Sequence, residues 1–298
     1  MRKSSFFGYL LLLTAITINA QEEDFPKLTG PYLGQKPPGT TPEVFAPGII
    51  SRKGSRDYGI TFSKKNDLIL YTCDAAESDK HDIFYSTIKK GAWTEPEQIP
   101  FSQNHSVGEP VFSPVSDKIY FAQLKLNTNN EWEPFLCYTR KTNNGWDYPI
   151  LLFPGLFATE AHDGTLYFTS LTLKEKPMGK AGIAKSELVN GRYQESELLA
   201  SDINTDFNEF HPFVSPDESY LLFDSDRPGG FGSYDIYVVF KNKYRNWGKA
   251  INLGSKINSD KYEGVATVSL DGKYLFFNKD DDIYWVSVKI IEELRLKE

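Results

Sequence analysis

Five acidic residues stand near the beginnings of short apolar strands: Asp57, Glu109, Glu160, Glu209 and Glu263. Carboxyl groups that share one small site repel each other when both are ionised. This raises the pKa of one of them and sets a general acid beside a general base. Two carboxyl groups that flank a sugar linkage are also the means by which many glycosidases cleave it. If these acids converge, the chemistry that they indicate is proton transfer.

His211 follows Glu209 by two residues, so both side chains would lie on the same face of a strand. Together with Glu109, this histidine could form a cation site or a proton-transfer pair. Glu109, Glu209 and His211 are therefore the candidate catalytic residues if the protein is an enzyme. The alternative is that His211 is a hydrogen-bonded structural residue, and that each acid caps backbone N–H groups or pairs with a nearby Lys or Arg. Acids that recur at a regular spacing favour this structural interpretation.

Metal ligands are few in the sequence. Asp206 and Asp260 occupy matching places in SDINTDFNE (201–209) and SKINSDKYE (255–263), where side-chain oxygens could bind Ca²⁺. Asn and Asp are also common turn residues, and we favour that interpretation. The chain has no His and carboxylate spacing typical of a transition-metal site, no Walker loop and no Gly-x-Ser-x-Gly elbow, so no cofactor is expected.

Three further residues are candidate ligand contacts. Trp132 lies in the long connection TNNEWEPF (128–135) and has no counterpart elsewhere in the chain, which makes it a candidate binding residue. Asp226 and Arg227 lie in SDRPGGFGSYDIYVVF (225–240), whose glycines permit a tight turn. These glycines lead into a strand and not into a helix, which argues against a phosphate-binding loop. We expect Asp226 and Arg227 to pair locally, with Arg227 the basic group nearest the acids.

The elements that must position these residues form a repeat. Four copies of a strand, a serine, a polar turn and a second strand are built around Ser63, Ser113, Ser215 and Ser269. In every copy the residue six after the serine is Ile or Leu, and the residue eight after it is Tyr or Phe. Agreement at a period of two is strand register. Residues 160–170 (EAHDGTLYFTS) form a fifth copy that is one residue shorter.

Each copy continues into a third strand, such as DIYVV (235–239), then a polar turn that often contains Trp, then a short fourth strand. Units of this size with four antiparallel strands are typical of propeller blades. The fifth unit ends after its third strand, and the segment FAPGIIS (45–51) resembles the missing fourth strand. The sequence therefore predicts an all-β fold, a single five-bladed β-propeller closed by an N-terminal strand. Strand order puts the acids on one face, the top, and the Trp turns on the other.

The strings SPDESYLLF (215–223) and SLDGKYLFF (269–277), with the DIY third strands, resemble the TolB-like, WD-type propeller repeats of bacterial exported proteins. The resemblance covers nearly all of the chain after its first twenty residues, and it implies the propeller fold. The TolB role in envelope complexes is not carried over, because the chain has neither room for an extra α/β domain nor a recognisable peptidoglycan-binding domain.

Residues 1–20 are predicted to be a cleaved signal peptide, since Arg2 and Lys3 precede a short apolar run that ends at Ala20. Residues 21–42 are expected to form an extended leader, and residues 43–298 the propeller. The protein is then periplasmic or secreted, and we expect a monomer without a membrane span. A net charge of −7 argues against nucleic acid as a partner. The two cysteines, Cys73 and Cys137, lie in apolar strand patterns, which favours two buried thiols over a disulfide.

The function expected from these features is that of a non-catalytic binding module for a peptide, an envelope protein or a glycan. Its ligand would contact the acids and the top loops at 74–81, 124–134 and 226–233. The alternative is a carbohydrate-active hydrolase or lyase that uses the acids as general acid and base. Catalytic acids are expected to be specific to single blades, whereas these acids mostly repeat, and this favours binding.

Overall fold

The computed structural model describes residues 25–75, 78, 80–126, 129–171, 179–200 and 202–296. The segment predicted to be a signal peptide lies outside the described residues. The described chain is built of antiparallel strands that form five blades of four strands each, so the predicted all-β, five-bladed propeller is confirmed. No helix in these ranges is long and apolar enough to cross a membrane.

The first strand in the chain, β1 (Glu43–Val44), belongs to the last blade, and the blades otherwise follow chain order. Blade 1 contains β2 (Ser55–Phe62), β3 (Leu68–Ala75), β4 (Ile83–Lys89), β5 (Ala92–Trp93) and β6 (Glu97–Gln98). Blade 2 contains β7 (Val107–Phe112), β8 (Lys118–Leu126), β9 (Trp132–Thr142), β10 (Gly145–Trp146) and β11 (Ile150–Pro154). Short 3₁₀ turns lie at Pro31–Gly34 and Pro100–Asn104.

Blade 3 contains β12 (Leu156–Glu160), β13 (Leu166–Ser170), β14 (Gly182–Ser186) and β17 (Glu197–Leu198), with the small hairpin of β15 (Leu188–Val189) and β16 (Arg192–Tyr193). Blade 4 contains β18 (Glu209–Val214), β19 (Tyr220–Ser225), β20 (Asp235–Phe240) and β21 (Ile251–Asn252). Blade 5 contains β22 (Glu263–Val268), β23 (Tyr274–Lys279), β24 (Asp282–Ser287) and β1. The only helix of the described chain, α1 (Lys289–Arg295), follows β24 and buries Ile290 and Ile291 against blades 4 and 5.

The ring is closed where β1 pairs antiparallel with β24, with Glu43 opposite Trp285. The sequence placed the closing strand at 45–51, whereas the ladder lies at Glu43–Val44 and is extended by one bond from the N–H of Phe45 to the carbonyl oxygen of Ile283 (2.8 Å). The chain before β1 also packs onto this seam, because Tyr32 is buried and its hydroxyl donates to Asp271 (2.8 Å). Closure leaves the seam without a free strand edge.

A β-bulge interrupts the innermost strand of every blade, seen as a register shift in its pairing with the second strand. Each bulge holds one residue with a left-handed backbone, at the equivalent position four residues before the repeat serine or its counterpart Ala161: Gly59, Glu109, Phe157, His211 and Val265. Bulges re-aim side chains and are common beside active sites. Five blades thus direct five different residues toward the central axis, and only two of these are ionisable.

Hydrogen bonds between adjacent blades hold three of these bulges. The Thr72 hydroxyl of blade 1 accepts the N–H of Glu109 in blade 2 (2.7 Å), and the Thr169 hydroxyl of blade 3 accepts the N–H of His211 in blade 4 (2.9 Å). The carboxylate of Asp224 in blade 4 accepts the N–H of Val265 in blade 5 (3.1 Å). A left-handed conformation in a residue other than glycine persists only where the surroundings hold it, and these bonds supply that support.

The aromatic residues of the bottom turns pack against the preceding blade. Trp146 contacts Tyr85 (ring centroids 5.1 Å apart), and Trp247 contacts Tyr167 (6.3 Å). In blade 3 the same place is taken by Tyr193, whose hydroxyl lies 3.0 Å from that of Tyr120. The aromatic residue of this turn in blade 1, Trp93, is buried, and its Nε1 donates to the carbonyl oxygen of Gly30 (2.7 Å). Their repetition therefore reflects packing between blades.

The glycines of SDRPGGFGS serve two purposes. Gly229 has φ +91°, which only glycine adopts easily, whereas Gly232 has an ordinary φ but lies against the backbone of the crossing into blade 5. The next residue, Ser233, donates its N–H to the carbonyl oxygen of Lys261 (3.0 Å). The hairpin is thereby fixed to the neighbouring blade.

Replacing Gly232 by Ala is expected to destabilise the fold, because the added Cβ would overlap the carbonyl oxygens of Ser259 and Lys261. Overpacking against backbone costs about 3 kcal/mol, or roughly 6–12 °C in melting temperature for a domain of this size. Gly39→Ala is the matched control, since a Cβ at Gly39 meets nothing within 4 Å. Thermal melts that give the two variants equal midpoints would contradict the close approach.

Candidate active site

A cavity of about 480 Å³ opens at the top of the propeller, where the innermost strands of blades 1, 2, 4 and 5 meet. Its walls carry ionisable and hydroxyl-bearing side chains. The lining residues are Arg56, Tyr58, His81, Glu109, His211, Tyr262, Val265, Asn278, Asp280 and Asp281. A concave site of this size that gathers polar groups is the expected form of a small-ligand or active site.

One wall holds a chain of three ionisable groups from two blades. The Nε2 atom of His211 lies 3.1 Å from Glu109 Oε1, and its Nδ1 atom lies 2.8 Å from Asp224 Oδ1. Both contacts are hydrogen bonds from one imidazole ring to two carboxylates. The other carboxylate oxygen of Glu109, Oε2, has no hydrogen-bond partner among the described residues. Glu109 is thus held by one oxygen, and its other oxygen is buried without a partner in that part of the chain.

His211 is charged at neutral pH. Burial disfavours the imidazolium ion, but the negative charges of Asp224 and Glu109 and their hydrogen bonds outweigh it and raise the pKa of His211 to about 10. Both ring nitrogens therefore carry protons and donate to the two carboxylates. The imidazolium ion fixes the orientation of the Glu109 carboxylate.

The blade 1 side of the cavity is organised by the fully buried carboxylate of Asp74. Asp74 Oδ2 accepts hydrogen bonds from Arg56 (2.7 Å) and from the hydroxyl of Tyr58 (3.3 Å), and lies 2.9 Å from His81 Nδ1. The Nε2 atom of His81 has no hydrogen bond within the described ranges. A histidine that is oriented through Nδ1 by a carboxylate, with Nε2 toward a cavity, is arranged for proton transfer.

The hydrogen bond from Asp74 raises the pKa of His81, and it outweighs the burial that would lower it. Glu109, which lines the same cavity, adds to the rise in the pKa of His81 through its negative charge. More of His81 is therefore protonated at neutral pH than of a free histidine. The lining of the cavity thus contains a carboxylate, Glu109, and a histidine with a raised pKa, His81.

Two tyrosines complete the walls as neutral hydrogen-bonding groups. Burial raises the pKa of Tyr58 and of Tyr262 well above that of a free phenol, and nearby carboxylates add to the effect. Both hydroxyls therefore keep their protons at neutral pH. The Tyr262 hydroxyl can donate to an oxygen of a bound ligand, and the Tyr58 hydroxyl, which donates to Asp74, can accept a hydrogen bond from one.

Three of the predicted mouth acids do not reach this cavity. Asp57, Glu209 and Glu263 are fully buried at the crossings between blades, where each caps a turn. Asp57 accepts from the N–H of Arg52, Glu209 from that of Thr205 and Glu263 from that of Ser259. The expectation that they converge at the mouth is wrong, because their shared position faces the crossing and not the axis. For the same reason Glu209 is not a catalytic candidate.

The expectation that Glu160 lies with the acids of the top face is also wrong. It is the last residue of β12 and lies buried at the bottom end of blade 3, where its charge adds to the effect of burial in raising the pKa of Tyr120. The shortened fifth copy of the repeat put it near the position of Glu109 in the sequence. In the fold, Glu109 lies in the top half of the inner strand of blade 2, whereas Glu160 lies at the bottom end of the inner strand of blade 3.

Arg227 is an internal structural residue, and not the basic group of the cavity. It donates to Glu209 Oε1 (3.1 Å) and to the carbonyl oxygen of Ile203 (2.6 Å), and its guanidinium lies over the ring of Phe223 (4.9 Å). Its neighbour Asp226 accepts the N–H of Asn208 (2.7 Å), so the two do not pair with each other. The basic residue that lines the cavity is Arg56, which sequence reasoning missed.

The remaining predicted contacts lie at the surface. Trp132 is 69% exposed at the start of β9 and does not line the cavity. Asp206 and Asp260, the weak calcium candidates, are exposed in the crossing turns. In the parts of the chain that the structure describes, no group of three or more His, Cys, Asp or Glu side chains could hold a metal ion. Cys73 and Cys137 are buried free thiols, and burial raises both pKa values.

The signal that could have found the site was the exception to the repeat. Counting back four residues from each repeat serine gives Glu109 and His211 where other blades have Gly59 and Val265. Counting forward nine gives Asp224 where blade 1 has Thr72. Positions that build the fold carry the same residue type in each blade, whereas the cavity is built from positions that differ.

No protein-family model and no curated protein matches the chain. Among solved structures, it is similar to the endo-arabinase from Bacteroides thetaiotaomicron VPI-5482, with a TM-score of 0.53 at 14% identity over 85% of this chain and 98% of that one. It is also similar to a GH43_1 enzyme from Xanthomonas citri, with a TM-score of 0.52 at 10% identity over 83% and 90%. The complex of that enzyme with xylotriose gives 0.51 at 11% identity over 83% and 90%. At such identities the likeness shows the propeller fold.

The expected non-catalytic binding module is the wrong interpretation. Its premise was that the mouth acids repeat, but the acids that repeat cap the blade crossings, and the cavity holds the blade-specific Glu109 and His211. The similar structures are GH43 glycoside hydrolases and not TolB-like proteins, so the TolB-like resemblance holds for the five-bladed propeller alone. The reason for preferring the binding module is thereby removed.

Proposed function

We propose that this protein is a glycoside hydrolase whose reaction takes place in the top cavity. The observation that carries the proposal is the Glu109–His211–Asp224 chain, which fixes the Glu109 carboxylate in the lining of the cavity. The second support is His81, oriented by Asp74, which lines the same cavity. Together they provide a proton acceptor and a proton donor around one small space.

In the proposed reaction, the Glu109 carboxylate takes a proton from a water molecule while the water oxygen forms a bond with the anomeric carbon. The glycosidic carbon–oxygen bond breaks, and the leaving oxygen takes a proton from Nε2 of His81. The products are two sugars with free hydroxyl groups, and solvent returns a proton from Glu109 to His81. The arrangement departs from the usual two carboxyl groups in that an imidazolium ion is the acid.

The structures that this propeller resembles support the substrate class. One is described as an endo-arabinase, and another was determined in complex with xylotriose. Glycans of neutral pentoses are therefore the first substrates to test. Tyr58, Tyr262 and Asn278 supply uncharged hydrogen-bonding groups for sugar hydroxyls on the cavity walls. With the export signal expected at residues 1–20, the reaction would take place outside the cytoplasm.

The test is turnover by the pure protein without residues 1–20. Linear arabinan, xylan and their oligosaccharides are incubated with it, and reducing ends and product sizes are measured. We expect new reducing ends from at least one substrate, and no release by protein that carries Glu109→Gln. If neither pentose nor hexose glycans are cleaved at high protein concentration over days, the hydrolase proposal is wrong.

The bond from Thr72 to the Glu109 backbone gives a prediction about positioning. Thr72→Val keeps the side-chain shape but removes the acceptor of the Glu109 N–H, so we expect kcat to fall about tenfold with KM little changed. Thr72→Ser should recover most of the loss. Thr267→Val is the control, since Thr267 bonds to the carbonyl oxygen of Ile60 in the next blade but holds no bulge residue. Equal kcat losses in the Thr72 and Thr267 variants would show that only stability was changed.

A further inference from the structure

A second concave surface lies between the outer parts of blades 1 and 2, and it shares no lining residue with the top cavity. We name it the blade 1–2 groove; it has a volume of about 460 Å³ and is lined by Pro100, Phe101, Asn104, His105, Gln123 and residues 144–149. Aromatic side chains form its base and edge. Phe101 is stacked on Phe121 (5.1 Å), and Trp146 rests against Tyr85 (5.1 Å), so both rings are held in place.

Tyr148 is the most exposed aromatic residue of the described chain, with 93% of its surface accessible. It stands two residues after Trp146 at the edge of the groove. An exposed ring beside a fixed one presents apolar faces and a hydroxyl group at the same time. The side-chain amides of Asn104 and Asn144 add donors and acceptors that make no hydrogen bond within the described ranges.

The groove differs from its counterpart between blades 3 and 4 in charge. That cavity, of about 560 Å³, contains Lys185, Lys241 and Arg245, and these are paired with Glu197, Glu187 and Glu218. The lining of the blade 1–2 groove contains one acid, Asp147, and no lysine or arginine, and a nearby cation, Lys141, has its Nζ 4.5 Å from the ring centroid of Trp146. Aromatic faces with amides and almost no fixed charge favour a neutral ligand that is rich in hydroxyl groups.

We propose that the blade 1–2 groove binds a neutral oligosaccharide, as a site separate from the top cavity. Tyr148 stacks on a sugar ring, Trp146 forms the fixed wall beside it, and Asn104 and Asn144 bond to the hydroxyl groups of the sugar. The site involves no chemistry and does not depend on the hydrolase reaction. On a polymer, it would hold a second stretch of the glycan chain while the top cavity acts on the first.

The test is affinity electrophoresis of Glu109→Gln protein, so that the polymer stays intact, in gels that contain linear arabinan, xylan or a neutral glucan. We expect retardation by at least one polymer and a rise of about tenfold in the apparent Kd for Tyr148→Ala. Asn104→Ala should weaken retardation less. The matched control is Tyr244→Ala, because Tyr244 is 72% exposed in the equivalent turn of blade 4.

The result that would overturn the proposal is retardation that Tyr148→Ala and Tyr244→Ala change equally, or no retardation by any of the three polymers. Loss of retardation in Arg56→Ala, a top-cavity variant, with Tyr148→Ala unaffected, would place all glycan binding in the top cavity and would also overturn it. Failure of the hydrolase proposal is seen separately, as absent turnover by the wild-type protein while retardation persists.

Discussion

Protein that carries Glu109→Gln is expected to cleave glycans about 10³-fold more slowly than the wild type. The decrease is expected in kcat, with KM little changed. The amide has nearly the shape of the carboxylate and can still accept from His211 through its oxygen. It cannot take up a proton from water, so only the chemical step is removed. The measurement is reducing-end release under substrate saturation, together with a thermal melt of each variant.

Glu209→Gln is the matched control, because Glu209 is an acid of an inner strand that caps a blade crossing and faces Arg227. We expect this change to lower the melting temperature and to leave kcat/KM of the folded protein within about twofold. A further variant, Glu109→Ala, tests the role directly, since added formate should restore part of its activity. Full activity in Glu109→Gln would remove Glu109 from the reaction, and a loss in Glu209→Gln at temperatures where it is folded would show that the assay reports stability.

Protein that carries His81→Gln is expected to lose about 10²-fold in kcat, because the leaving oxygen then lacks a proton donor. Its pH profile should also lose the decline on the alkaline side. In the wild type that decline reflects deprotonation of His81, and it lies above the pKa of a free histidine because Asp74 raises the pKa of His81.

Asp74→Asn tests the direction of this effect. The largest contribution that raises the pKa of His81 is its hydrogen bond to Asp74. Removing the carboxylate lowers the pKa, so the imidazolium ion is lost at lower pH and the alkaline decline moves toward acid. The profile of kcat from pH 5 to 10 measures this shift. An alkaline decline that stays in place in Asp74→Asn would mean that another group donates the proton.

The fold could be read from the sequence because propeller blades use the same positions for the same purpose. The Ile or Leu six residues after each serine, and the Tyr or Phe eight after it, are buried between blades in the structure, as at Ile69 and Tyr71. Period-two agreement across copies therefore predicted strand register, blade number and the closure in blade 5.

The site could be read only in part, since Glu109 and His211 were recognised and their partners were not. The β-bulge shifts the register by one residue, so alternation along the strand no longer tells which side chain faces the axis. This is why Asp57 and Glu263 were expected at the mouth although they are buried at the crossings. Asp224 and Asp74 come from second strands and reach the site through contacts between strands that spacing alone does not reveal.

The pairing of Glu43 with Trp285 has a consequence for the order of folding. Blades 1 to 4 are each contiguous in the chain and can form from neighbouring residues as they become available. Blade 5 cannot, because its outermost strand, β1, precedes the other four blades in the chain and its partner, β24, follows them. Contacts of such large sequence separation form slowly. The ring therefore closes last, and until then the apolar residues beside β1, such as Phe45 and Ile50, stay uncovered and prone to aggregation.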